Sequence, residues 1–166
     1  YKKWLTSDVL QDKDKKELES IKNNTKELED RFYRDLEFGT AGMRGVLGIG
    51  TNRLNIYNVR HASAGVAEYV NKEGETAKKK GVLIGYDTRI MSREFAEETA
   101  KVLADAGIKV FLFDTVHSVP EVSFGIRTLG CAAGVMITAS HNPKEYNGYK
   151  VYGPDGGQLP PEAVQI

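Results

Sequence analysis

The sequence has little cysteine and no excess of either charge. Its single cysteine, Cys131, cannot form a disulfide within the chain, and we expect a buried, reduced side chain there. The 23 basic and 23 acidic side chains cancel, which argues against a general affinity for nucleic acid or anionic lipid. No apolar run approaches the roughly 20 residues of a membrane span, and no signal-peptide pattern opens the sequence. We therefore expect a soluble, cytoplasmic protein with neither a nucleic-acid nor a membrane partner.

The length and the two ends indicate one domain taken from a longer polypeptide. The 166 residues are enough for a single core of ordinary size. The first residue is Tyr1 rather than methionine, and the last segment, Pro160 to Ile166, reads as the start of a linker or helix. We expect the sequence to be an excerpt.

Residues 1–36 are rich in charge and have helical spacing. Asn24 to Glu27 reads as a capping box, and Leu28 with Phe32 forms an apolar pair at helical spacing. We predict a helical arm over residues 1–36 that packs on a domain formed by residues 37–166.

Beyond the arm, strand-like and helical segments alternate with short connections. The predicted strands are Val82–Tyr86, Ile108–Phe113 and Ala132–Ile137. The predicted helices follow Asn55 as cap, run from Ser92 to Ala106, and open at Ser118 with Val122, Ile126 and Leu129 on the buried face. Such alternation favours an α/β fold with a mainly parallel, mixed sheet between helices.

A serine follows the last of these strands. Ser140 lies on a polar loop after Ala132–Ile137, where Pro143 prevents the strand from continuing. The carboxyl end of a buried strand is where α/β folds place their reacting groups. A second strand, Gly148–Tyr152, is expected to return through an Asn147-Gly148 turn and to bring Lys150 back towards the serine. The pattern indicates a nucleophilic oxygen beside an amine that handles its proton.

Three motifs resemble those of the α-D-phosphohexomutases, the phosphoglucomutase and phosphomannomutase superfamily. The stretch from Thr138 to Tyr152 resembles the family's phosphoserine loop, and Phe38-Gly-Thr-Ala-Gly-Met-Arg-Gly45 resembles its first active-site loop. Gly85-Tyr-Asp-Thr-Arg89 is a further match, so that the likeness spans about residues 36–153. The variant looks most like the bacterial α-phosphoglucomutase and phosphopentomutase branch. The resemblance implies domain I of a four-domain enzyme, with the remaining three domains in the same polypeptide.

The resemblance also implies a reaction and its cofactors. Ser140 would rest as phosphoserine, would transfer its phosphoryl group to a hexose phosphate, and would recover one from the glucose 1,6-bisphosphate intermediate, which also serves as activator. Glucose 1-phosphate and glucose 6-phosphate would thereby interconvert. Because phosphoserine carries nearly two negative charges, a cation is needed beside it. In the family this is one Mg²⁺, bound by the phosphate oxygen on Ser140 and by aspartates of the second domain.

The remaining candidate residues follow from the same motifs. Arg44, in a glycine-spaced loop, would bind phosphate with its planar fork of donors, and Thr40 of that loop could add a hydroxyl. Lys150 would be the general acid or base, with a pKa lowered by nearby cations or desolvation. His141 is assigned a hydrogen-bonding role among the catalytic residues, and Asn142 is placed with the phosphate-binding ones.

Arg89 is the last of the predicted phosphate-binding residues. It ends a strand together with Asp87, and the two side chains could brace the phosphoserine loop through an ion pair.

Other functions stay open. Within the family, a phosphomannomutase or phosphopentomutase would share these motifs. A serine hydrolase is disfavoured, because the sequence has no Gly-x-Ser-x-Gly elbow. A non-catalytic sugar-phosphate-binding module is the alternative for the fragment by itself, which we expect to fold without turning over hexose phosphates.

Overall fold

The computed structural model describes residues 1–39 and 42–160. Three short helices come first, and a hairpin, a long helix and an alternation of strands with helices follow. The elements are α1 (Lys2–Leu5), α2 (Asp12–Ser20), α3 (Thr25–Phe32), β1 (Phe38–Gly39), β2 (Gly42–Val46), α4 (Ile56–Lys72), α5 (Glu75–Lys80), β3 (Val82–Tyr86), α6 (Ser92–Asp105), β4 (Val110–Leu112), α7 (Val119–Leu129), β5 (Ala133–Ile137) and β6 (Tyr146–Tyr152).

The strands form one mixed sheet in the order β1-β2-β6-β5-β3-β4. Strand β3 pairs in parallel with β4 and with β5. Strands β1, β2 and β6 add antiparallel pairs at the β5 side. The predicted α/β fold with a mixed sheet is confirmed, and parallel pairing is confined to the three strands that helices separate.

Helices cover both faces of the sheet. Helices α4 and α6 pack over one face, where Val59, Val66 and Phe95 are fully buried against Ile84. Helix α7 covers the other face, where Val122 and Ile126 contact a second cluster with Leu83 and Met136. Strands β3 and β5 are buried at every position, as expected of parallel strands with helices on both sides.

Local signals in the sequence set the ends of the principal helices. Asn55 caps α4, because its side-chain oxygen accepts hydrogen bonds from the backbone N–H groups of Tyr57 and Asn58. Ser118 and Glu121 form a capping box at the start of α7, and Gly130 ends that helix in a left-handed conformation. Leu129, which was predicted to be buried, lies in the last turn of α7 and is 51% exposed.

The N-terminal segment, predicted as a helical arm over residues 1–36, contains three short helices, α1 to α3. Their side chains make a small cluster of their own around Leu18, and Ile49 from the loop after β2 is buried in it. The ring of Trp4 lies 5.9 Å from that of Phe32 and 5.8 Å from that of Tyr57, in edge-to-face contacts. These contacts fasten the N-terminal segment to α4 and to the loop that follows β2.

The predicted Asn147-Gly148 turn is wrong. Both residues lie inside β6, and the chain turns earlier, where the backbone N–H of Tyr146 donates to the Pro143 carbonyl at 3.0 Å. Asn147 is fully buried, and its Nδ2 donates to the Ile90 carbonyl at 2.9 Å. An Asn-Gly pair favours a tight turn because both residues tolerate a positive φ. Here both residues lie in the β6 ladder instead, and the Asn147 side chain makes tertiary hydrogen bonds.

Cys131 is buried and unpaired, as expected, and burial raises the pKa of its thiol. Within residues 1–39 and 42–160, no helix combines the length and the apolar character needed to cross a membrane.

Candidate active site

The site lies at the edge of the sheet where the parallel strands β3 and β5 end. Asp87 and Arg89 follow β3, and Ser140 follows β5 on the loop formed by residues 138–145. Because carboxyl ends of parallel strands meet at one edge, the two loops are neighbours. This is the edge at which the sequence predicts a reacting serine.

The loop presents Ser140 in an unusual backbone conformation. Its φ of 57° is left-handed, while its neighbour Ala139 is fully buried and Ser140 is exposed. The Ser140 N–H donates to Oγ1 of Thr138 at 3.0 Å, and the Asn142 N–H donates to the Ala139 carbonyl at 3.1 Å. A left-handed serine costs stability, and these bonds hold it there.

Arg44 reaches the loop from β2. It pairs with Gly148 across the antiparallel β2–β6 ladder. A methyl group on Gly148 would lie 2.8 Å from Cγ of Arg44 and 2.6 Å from the Thr138 carbonyl oxygen. Only glycine at this position lets the arginine side chain cross β6, where its Nη1 donates to Oδ1 of Asn142 at 3.1 Å. The other guanidinium donors have no partner among the described residues.

Lys150 lies on the same face of β6 as Gly148, two residues further along. Gly42 of β2 packs against it, since a methyl group there would lie 3.0 Å from Cγ of Lys150. Burial lowers the pKa of the Lys150 amine, and the positive charge of Arg44 lowers that pKa further. A lowered pKa is what a lysine needs to act as a general base near neutral pH.

His141 contacts Ser140 only weakly. Its Nδ1 lies 3.5 Å from Oγ of Ser140, at the limit of a hydrogen bond, and both residues are exposed. Among the described residues, no carboxylate orients the imidazole. A Ser-His-acid arrangement for hydrolysis is therefore not assembled in the part of the chain that the structure describes.

Arg89 lies on the opposite side of the loop and is bound to its backbone. Nη2 donates to the carbonyl oxygens of Ser140 at 2.8 Å and of Asn142 at 2.6 Å. Nη1 donates to those of Pro143 at 2.9 Å and Tyr146 at 3.0 Å. The predicted ion pair with Asp87 is present at 3.6 Å, but hydrogen bonds from Arg89 to four carbonyls are what join the two loops.

Two residues of the site were not predicted. Asn147 donates to the Ile90 carbonyl and to Oγ of Ser92, both at 2.9 Å, and so joins β6 to the start of α6. Gly148 provides the space for Arg44. The Asn-Gly pair was visible in the sequence but indicated a turn. The predicted residue Thr40 lies outside the described residues.

An open depression of about 470 Å³ lies beside the serine, between the loop that follows β3 and the loop that follows β5. Ser140, Asn142 and Lys144 line one side, and Asp87 to Ile90 line the other. It gives Ser140 access to a ligand from solvent.

The described residues do not form a metal site by themselves. No group of three or more His, Cys, Asp or Glu within residues 1–39 and 42–160 is arranged to hold an ion. Asp87, whose side of the depression faces Ser140, is already engaged, since its Oδ1 accepts from Oγ of Ser92 at 2.7 Å and from the Arg89 N–H at 3.0 Å.

Comparison with known proteins gives a consistent set of relatives. A family model described as "Phosphoglucomutase/phosphomannomutase, alpha/beta/alpha domain I" matches residues 35–166. A phosphoglucomutase from Staphylococcus aureus strain bovine RF122 is 48% identical over 140 residues, 84% of this chain and 25% of the relative. A phosphoglucomutase from Staphylococcus saprophyticus is 50% identical over 134 residues, 81% of this chain and 24% of the relative.

A crystal structure of a protein from Thermus thermophilus, provisionally named a phosphomannomutase, superposes with a TM-score of 0.70 at 32% identity. It covers 80% of this chain and 29% of the other. The chain thus spans about a quarter of the length of the curated relatives that it matches.

Proposed function

Because this chain belongs to the phosphoglucomutase/phosphomannomutase family, we propose that it is the phosphoserine domain of a phosphoglucomutase, an isomerase that moves a phosphoryl group within a hexose phosphate. The observation that supports this best is the register of β2, β6 and β5. It puts Arg44 and Lys150, a lysine of lowered pKa, on one face of the sheet, and the hydrogen bond from Arg44 to Asn142 links that face to the loop that carries the exposed Ser140.

Each residue has one task in the proposed reaction. With a phosphoryl group on Ser140, a hydroxyl of the hexose phosphate attacks phosphorus. The bond from phosphorus to Oγ of Ser140 breaks as the bond to the sugar oxygen forms, Nζ of Lys150 takes the hydroxyl proton, and Oγ takes up a proton from water as it leaves. In the return step the Ser140 hydroxyl gives up its proton to water and the Lys150 ammonium protonates the departing sugar oxygen. The 1,6-bisphosphate then reorients, and its other phosphoryl group returns to Ser140. Arg44 binds the transferring group with the donors that Asn142 leaves available.

The full-length enzyme is proposed to need one Mg²⁺, as the phosphate charge on Ser140 requires a cation. The described residues do not complete such a site, and this chain would supply one phosphate oxygen. The other ligands, like the residues that hold the far end of the sugar, would come from the remaining three domains.

Glucose phosphate is the proposed substrate because the two curated relatives are named phosphoglucomutases. A phosphomannomutase or phosphopentomutase uses the same chemistry and is the alternative. His141 is retained as a hydrogen-bonding group beside the serine. The cytoplasmic location stays a prediction.

The test is to find the phosphoryl group. The full-length enzyme is incubated with glucose 1,6-bisphosphate and Mg²⁺, and its peptides are mapped by mass spectrometry. We expect one phosphoryl group on Ser140 and no turnover in Ser140→Ala, since that variant lacks the hydroxyl group that the proposed reaction phosphorylates. Label on a different residue, or unchanged turnover in Ser140→Ala, would refute the proposal. Steady release of inorganic phosphate in place of the isomeric sugar phosphate would indicate a hydrolase.

The role of Lys150 is tested separately by Lys150→Met, which keeps the length of the side chain and removes the amine. We expect a single-turnover transfer rate about 100- to 10,000-fold lower, with a smaller change in the affinity for the sugar phosphate. The isolated 166-residue chain is expected to fold but to show no mutase turnover in a coupled assay for glucose 6-phosphate. Turnover by the isolated chain near that of the full-length enzyme would contradict the proposed need for the other domains.

A further inference from the structure

Four backbone carbonyl oxygens of the loop around Ser140 accept hydrogen bonds from the guanidinium group of Arg89. Those of Ser140, Asn142, Pro143 and Tyr146 all lie within 3.0 Å of a terminal nitrogen of Arg89. Four carbonyl dipoles that point inward repel one another unless a cation lies between them. The loop conformation that exposes Ser140 therefore depends on a positive charge at this point.

A guanidinium group is suited to this place in a way that an ammonium is not. It has five N–H donors in a planar fork. The four terminal N–H groups match the four carbonyls, and Nε faces Oδ2 of Asp87 at 3.6 Å. The side chain of Arg89 is only 14% exposed. Its four terminal N–H donors, the ones that would bind a phosphate in a fork, are therefore already used by the protein.

The base of Arg89 is itself fixed. The Asp87 carboxylate accepts from the Arg89 N–H at 3.0 Å and from Oγ of Ser92 at 2.7 Å. Asn147 of β6 donates to the same Ser92 hydroxyl at 2.9 Å. The loop that carries Arg89 is thus tied by hydrogen bonds to both ends of the loop that carries Ser140.

We propose that Arg89 is a positioning residue for the phosphoserine: it sets the conformation of residues 138–146, and through them the direction in which Ser140 presents its oxygen, without contacting the substrate. This departs from the phosphate-binding role that the sequence predicts for Arg89. The effect on loop conformation is independent of the proposed function, whereas the effect on the reaction rests on it.

The experiment uses the full-length enzyme and compares Arg89→Ala and Arg89→Lys with Arg93→Ala. Arg93 is a control because it lies four residues further on, in α6, where its side chain is 68% exposed and its ion pair, among the residues that the structure describes, is with Glu97. Two quantities are measured for each variant. One is hydrogen exchange of the amides in residues 138–148, followed by mass spectrometry. The other is kcat and KM for the sugar phosphate, together with the extent of Ser140 phosphorylation.

For Arg89→Ala we expect faster exchange in residues 138–148, unchanged exchange in the strands of the core, and kcat lower by about 100-fold, the usual effect of misplacing a reacting group by about 1 Å. KM should change by less than about threefold. For Arg89→Lys we expect an exchange rate and a kcat between those of the parent and of Arg89→Ala, because an ammonium has three donors at a single point. If Arg89→Ala does not fold, the same changes at smaller size are required of Arg89→Lys.

Three results would overturn the proposal. Loop exchange at the rate of the parent would show that Arg89 does not hold the loop. A loosened loop with unchanged kcat would show that its conformation does not matter for transfer. A raised KM with unchanged kcat would show that Arg89 binds phosphate after all. Absence of phosphate from Ser140 in the parent enzyme would refute the proposed function instead, and the exchange measurement would still decide whether Arg89 holds the loop.

Discussion

Two arginines contact the loop around Ser140 from opposite sides, and they differ in what their donors do. Arg44 projects from β2 and makes one hydrogen bond, to the side-chain oxygen of Asn142 at 3.1 Å. Arg89 projects from the loop after β3 and makes hydrogen bonds to four backbone carbonyls. A guanidinium that is fully paired with the protein stabilises the protein, whereas one with unpaired donors can bind a ligand. The contacts of the two arginines therefore favour two different roles for the same residue type within one site.

Replacing Arg44 should lower kcat/KM for the sugar phosphate more than any other change considered below. Arg44→Ala removes about two charge-assisted bonds to the phosphoryl group, each of about 1.5–3 kcal/mol. We expect kcat/KM to fall by about 100- to 10,000-fold and Ser140 to be phosphorylated more slowly by glucose 1,6-bisphosphate. Hydrogen exchange in residues 138–148 should stay close to that of the parent. If Arg44→Ala loosens the loop as much as Arg89→Ala does, the two arginines are not functionally distinct.

Replacing Gly148 tests the position of the Arg44 side chain without changing Arg44 itself. In Gly148→Ala the new methyl group would lie 2.6–2.8 Å from the Thr138 carbonyl, the Met43 carbonyl and Cγ of Arg44, so that β6 or Arg44 must move. We expect the free energy of unfolding to fall by about 1–3 kcal/mol and the rate of phosphoryl transfer to fall by about tenfold or more. Denaturant titration and single-turnover kinetics measure the two effects.

Gly130→Ala is the matched control for Gly148→Ala. Its methyl group would meet nothing within 4 Å, but the left-handed backbone, with φ of 64°, should cost an alanine about 1–2 kcal/mol. The loss of stability is then similar, while the transfer rate should be unchanged because Gly130 lies at the far end of α7. A slowed transfer in Gly130→Ala as well would mean that general destabilisation explains both variants.

The smallest expected effect is a shift in pH dependence. In the proposed reaction the neutral amine of Lys150 is the base, so that the rate of transfer to the sugar hydroxyl should rise with pH through the pKa of Lys150. The charge of Arg44 helps to lower that pKa, and Arg44→Gln should therefore raise it and move the rise in rate to higher pH. Arg93→Gln, at the surface of α6, should leave the profile in place. A profile that Arg44→Gln does not move would show that the titrating group is not Lys150.

Much of the fold follows from local patterns in the sequence. The caps at Asn55 and Ser118 and the apolar spacing of α4 and α6 predicted those helices, and the continuous apolar runs predicted β3 and β5. These features depend on neighbours within one or two turns, so that local chemistry decides them. The prediction that Leu129 is buried was wrong: its spacing fits the buried face of α7, but the helix ends at this residue and the side chain is exposed.

The roles around the serine could be predicted only in part. The resemblance identified Ser140, Arg44 and Lys150 as candidates, and the structure brings their strands and loop together. The resemblance could not settle the role of Arg89, because a guanidinium group is equally suited to bind a phosphate and to bind four carbonyl oxygens. Asn147 was misread for a similar reason, as its side chain serves a tertiary contact instead of a turn.

By itself, then, the sequence determined the α/β alternation, the strand that ends before Ser140 and the residue types suited to phosphate. Only the tertiary structure decided which donors are already used. A hydrogen bond takes up a donor whether its acceptor is 2 or 98 residues away, as with Arg44 and Asn142. The physical reason is that partners so distant in sequence are set by the strand order and register of the sheet, which no local pattern records.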